Sequence, residues 1–81
     1  MVQKEPDSLG SGDLNMEVTA SGVLVIRVSP EQERILTTPV NDLNPNQVGW
    51  RGRWFTNLQL TTRRRFHQTG LPIEIKIQVE D

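Results

Sequence analysis

The sequence has no cysteine, no tyrosine and a single histidine among its 81 residues. Without cysteine there is no disulfide framework and no thiolate metal site. One histidine, His67, leaves no histidine-based metal cluster and only one side chain suited to act as a base at neutral pH. Aromatic residues are scarce: Trp50, Trp54, Phe55 and Phe66 complete the set. No apolar run approaches the roughly 20 residues of a membrane helix, so no membrane association is expected. Residues 1–13 carry Glu5 and Asp7 and no apolar stretch, which does not read as a secretory signal. The lack of cysteine fits a cytoplasmic location.

Small size adds a second exclusion. Surface scaling lets a chain of 9.2 kDa bury at most about 63% of the area its unfolded form exposes. Residues 1–15 include Ser8, Gly10, Ser11 and Gly12, a polar composition that predicts a flexible tail. The remaining residues, 16–81, form one domain, with a stability of about 3 to 10 kcal/mol at typical per-residue values. So little core favours a surface that binds over a cleft that reacts.

Enzyme signatures are correspondingly few. Ser8, Ser11, Ser21 and Ser29 read as tail, turn or cap residues, and only His67 is available to activate a serine. Glu31 and Glu33 are two apart on a short helix and point to different faces, a poor acid/base pair. Neither Gly10 and Gly12 nor Gly49 and Gly52 match a phosphate-binding loop. The expectation is a protein that is not an enzyme and needs no cofactor or metal.

Five segments emerge from the pattern. Residues 16–28 read as two strands around Ser21-Gly22, with Val18 opposite Val25 and with Leu24, Ile26 and Val28 on the other face. Ser29-Pro30-Glu31-Gln32 carries an N-cap serine, a first-turn proline and a capping-box glutamine, which predicts a short helix to Thr37. Residues 41–49 are loop-like in composition. Residues 54–66 alternate in part, and Ile73, Ile75, Ile77 and Val79 alternate fully with Glu74, Lys76, Gln78 and Glu80. Joined by a turn at Gln68-Thr69-Gly70, these last two segments read as a second hairpin. The predicted fold is α+β, with a mostly antiparallel sheet in the order strand, strand, short helix, strand, strand, arranged like a β-grasp or a small open barrel.

The net charge of -1 conceals strong polarity. Between Asp42 and Glu74 there is no acidic residue, and that gap holds Arg51, Arg53, Arg63, Arg64 and Arg65, a charge of +5 against -6 for the rest. All four aromatic residues lie in the same gap. The candidate partner-binding residues are therefore Trp50, Arg51, Arg53, Arg63, Arg64, Arg65, Phe66 and His67. On an extended strand the two arginine clusters would stand about 35 Å apart, too far for one compact patch unless the first folds back in a loop. The plainer roles are a charged edge strand that resists aggregation for the three adjacent arginines, an ordinary exposed histidine for His67, and core packing for Trp54 and Phe55.

Arginine and tryptophan recur at interface hot spots, and arginine forks bind carboxylates bidentately. The functional expectation is a small interaction or regulatory module, such as an accessory subunit, that docks an acidic protein partner. The alternative is binding of RNA or single-stranded DNA through the same arginines and aromatics. Against it stand a sequence pI of about 5.7 and the absence of lysine from the basic segment. A role in a larger assembly, such as a viral particle, is a third reading.

Overall fold

The chain is organised around Val23–Val28, whose Leu24 and Ile26 have no solvent exposure. The computed structural model describes Leu9 and residues 11–80; residues 1–8, Gly10 and Asp81 lie outside the described residues, and with them most of the expected tail. The elements are β1 (Asn15–Val18), β2 (Val23–Val28), α1 (Pro30–Thr37), a 3₁₀ turn (Val40–Asp42), α2 (Pro45–Thr69) and β3 (Glu74–Val79). The sheet has the order β1-β2-β3, with β1 antiparallel and β3 parallel to β2. This is a small α+β fold, as the pattern predicts, but the expected strand order is corrected. Residues 54–66 form no strand, there is no second hairpin, and three strands form a mixed open sheet in place of a β-grasp or barrel.

The reason lies at Asn44. Ser29 and Gln32 cap each other's backbone at the start of α1, and Asn44 and Gln47 do the same at the start of α2, each with proline at the first helical position. Asn44-Pro45-Asn46-Gln47 thus repeats the signal of Ser29-Pro30-Glu31-Gln32 inside a stretch whose composition reads as loop. Once started, α2 carries Trp50, Trp54 and Leu58 along one stripe at four-residue spacing. Tertiary burial of that stripe overrides the β-branched threonines and the partial alternation that suggest a strand. Gly70 donates its backbone N–H to the Phe66 carbonyl at 2.7 Å and ends the helix.

The first hairpin is present, with a register one residue from the expected one. Thr19 pairs with Val23 through a 2.9 Å backbone bond, and the loop between them is three residues long, closing on Gly22 at φ 89. A three-residue loop of this kind needs a left-handed residue at its last position, which glycine supplies. The pairs are consequently Val18–Leu24, Met16–Ile26 and Glu17–Val25. A one-residue shift exchanges faces, so Val18 and Met16 join the core side and Glu17 the outer side.

Leu24, Ile26, Val28, Ile35, Trp50 and Trp54 form the core, with Leu9, Leu14, Leu36, Leu43, Leu58 and Ile73 packed around it. The indole rings of Trp50 and Trp54 lie 6.3 Å apart at an interplanar angle of 36°. Side chains of this size contribute about 1.5–3 kcal/mol each on full burial. On the outer face Arg27 pairs with Glu17 of β1 and, at 3.1 Å, with Glu80 beyond β3, tying the three strands together.

The helices cover the middle of the inner face and leave its edges open. Ile75, Ile77 and Val79 share that face with β2's core residues through the β2–β3 register, yet each remains 40–42% exposed. Along α2 the buried residues are Trp50 and Trp54, both in its first ten positions. With about 1.5 Å of rise per residue α2 is about 37 Å long, against about 20 Å for β2. Its C-terminal part therefore projects past the centre of the core. Among the described residues no helix is long and apolar enough to cross a membrane.

Candidate partner-binding surface

The helical geometry of α2 redistributes the arginines. Residues two apart on a helix point about 200° from each other, so Arg51 and Arg53 do not share a face as they would on a strand. Arg51 donates to the carbonyls of Thr38 at 2.6 Å and Ile35 at 3.2 Å. Thr38 is the C-cap of α1 and Ile35 lies in its last turn, its carbonyl also accepting from the Thr38 N–H at 3.3 Å, and a cation there complements the helix dipole. Arg53 turns to the other side, where its Nε donates to the Ser11 carbonyl at 3.0 Å. Asn57 donates to the Gly12 carbonyl at 3.0 Å, so residues 11–14, assigned by composition to the tail, lie against α2. Gly12 sits at φ 91, and a Cβ there would come within 2.7 Å of the Arg53 Cβ.

Trp50 also leaves the candidate surface. It is 1% exposed and is one of the largest fully buried side chains, so its ring packs the core and presents nothing to a partner. Phe55 does the reverse: expected in the core, it is about half exposed and meets Trp54 edge-on at 5.2 Å.

The second cluster stays at the surface. Arg63, Arg64, Phe66 and His67 are exposed, Arg65 is half-buried, and none of the three arginines has a hydrogen-bonding or ionic partner among the described residues. Three consecutive residues fan around about 200° of a helix, so they do not make one flat patch. Arg63 and Phe66, three apart, are neighbours on one side, and Arg64 and His67 are neighbours on another. Phe66 and His67 stand with ring centroids 6.4 Å apart.

The structure adds residues that the sequence pattern places in the core. Thr62, Arg63 and Phe66 of α2 form one wall of a groove of about 440 Å³, and Pro72, Ile73 and Ile75 form the other. The signal for this was the full alternation of residues 73–79, which identifies the apolar face; it does not reveal that β3 is an edge strand. A second hollow near the ends of β2 and β3 contains Asp13, Arg27, Ser29, Gln32 and Glu80. Most of its polar groups are already paired: Ser29 with Gln32, Arg27 with Glu80, and Asp13 with the Ser11 hydroxyl. Among the described residues no group of three or more acidic or histidine side chains is placed to hold a metal ion.

Comparison with protein-family models, with curated proteins and with solved structures finds no match to this chain.

Proposed function

We propose that the protein is a small interaction module that docks an acidic protein partner through the C-terminal part of α2. The observation that carries this reading is the division of labour among the five arginines. Arg51 and Arg53 are bonded to backbone carbonyls, whereas Arg63 and Arg64 are exposed and without a partner among the described residues, and Arg63 stands beside the exposed Phe66. Solvent-facing guanidinium groups beside an apolar ring can form bidentate bonds to carboxylates while the ring is covered. The binding residues in this reading are Arg63, Arg64, Arg65, Phe66 and His67.

RNA or single-stranded DNA draws less support. Two of the five arginines are committed to the fold, no aromatic residue lies on a strand, and the outer face of the sheet carries Glu17 and Glu74 beside the Arg27–Glu80 pair. Capture of partners from the source cells by wild type and by an Arg63→Ala/Arg64→Ala/Arg65→Ala variant tests the proposal. An acidic protein retained by the first and lost by the second is expected; identical captured sets contradict it.

A further inference from the structure

We infer that the partner binds as an extended segment added to the free edge of β3, with apolar side chains in the groove beneath Phe66 and a carboxylate on Arg63. The inference rests on the reading of this surface as a docking site for an acidic protein. It specifies how the partner is held.

Three observations meet at this place. First, β3 pairs with β2 on one side only, and among the described residues nothing pairs with its other edge. An edge strand presents a row of unused N–H and C=O groups, and proteins usually blunt it with proline, a bulge, charged side chains or inward-pointing charge; of these β3 has only Glu74 and Lys76, both on the outer face. Glu74–Val79 has no proline and no glycine, and its inward positions are Ile75, Ile77 and Val79. The opposite edge is weaker: β1 has four residues and its Glu17 is tied to Arg27.

Second, the inner face beside this edge is apolar and uncovered. Ile75, Ile77 and Val79 remain 40–42% exposed, and Leu71 and Phe66 near the start of the strand are more exposed still. An added strand would continue the sheet about 4.8 Å further out and set alternate side chains against this row.

Third, charge selects the occupant. Arg63 lies on the groove wall next to Ile73 and Ile75, and α2 contains five arginines and no acidic residue. A second copy added parallel to the same edge would bring its own Arg63, Arg64 and Arg65 into the same region, and like charges oppose that arrangement. A segment of another protein, apolar at alternate positions and carrying a carboxylate beside Ile73, meets both the apolar row and the guanidinium group.

The test uses the whole chain, isotopically labelled, and a blocked synthetic peptide of alternating valine and threonine with two aspartates at one end. A matched peptide has lysines in place of the aspartates. Shifts and slowed exchange of the Glu74–Val79 amides with the acidic peptide, and at least about tenfold weaker binding of the lysine peptide, are expected for a charge-assisted contact. Arg63→Glu should reverse that preference while leaving the spectrum of the core unchanged. Perturbation confined to α2 with β3 silent overturns strand addition and leaves acidic docking standing. Equal binding of both peptides, or no perturbation at all, overturns the inference. Protection of β3 that depends on protein concentration and not on peptide overturns it in favour of a second copy.

Discussion

The Arg51 guanidinium donates to the Thr38 carbonyl at 2.6 Å, which ties α2 to the C-cap of α1. A charged donor on part-buried carbonyls contributes about 1.5–3 kcal/mol, so Arg51→Ala should lower stability by that order. Urea unfolding measures it. Partner capture at a temperature where the variant is folded should equal that of wild type.

Two glycines should respond with opposite signs. Gly12 has a left-handed backbone and no room for a Cβ, because the Arg53 Cβ lies 2.7 Å from where one would stand. Gly12→Ala should cost about 1–3 kcal/mol through strain. Gly52 is exposed in the middle of α2 with nothing within 4 Å of its would-be Cβ. Gly52→Ala should stabilise the protein by about 0.5–1 kcal/mol through helix propensity. Denaturant midpoints of the pair check both signs against one wild type.

The aromatic residues should separate in the same way. Trp50→Ala empties a core position and should cost about 3–5 kcal/mol. Against a stability of about 3 to 10 kcal/mol for residues 16–81, that loss should lower the melting temperature by at least about 12 °C. Phe66 is 50% exposed, and Phe66→Ala should change stability by no more than about 0.5 kcal/mol. Circular dichroism melts distinguish the two, and a large loss for Phe66→Ala would show that its ring supports the fold.

How far these roles were readable from the residues depends on periodicity. Ser29-Pro30-Glu31-Gln32 predicts α1 with the observed bounds, because the cap is a local signal that needs no tertiary contact. The same signal at Asn44-Pro45-Asn46-Gln47 is masked by neighbouring asparagines that favour a loop. Reading residues 54–66 as a strand followed from that, since Trp54, Leu58 and Leu60 alternate in part while the Trp50–Trp54–Leu58 stripe spans the boundary. Alternation at Ile75, Ile77 and Val79 identifies a strand with one apolar face, yet it is identical for parallel and antiparallel pairing and for edge and central positions. The basic segment was visible from charge alone. Which arginines face solvent depends on the helix period, and the carbonyls that hold Arg51 and Arg53 come from residues 13 or more positions away.

Single-stranded oligonucleotide titrations should show at most weak binding. With three arginines outside the fold's own contacts, the slope of log affinity against log salt should be no steeper than about -2. A slope near -3.5 would mean that all five arginines reach phosphates, and would contradict the carbonyl contacts of Arg51 and Arg53.

Docking of an acidic partner through Arg63, Arg64 and Phe66 makes a prediction about charge reversal. It is tested most directly by quantifying proteins captured by wild type and by Arg63→Glu/Arg64→Glu at low and at physiological salt, with matched melting curves for the two baits. An acidic protein enriched by wild type, diminished as salt rises and absent from the charge-reversed bait is expected. The same protein captured equally by both baits, or a captured set without acidic members, would contradict it.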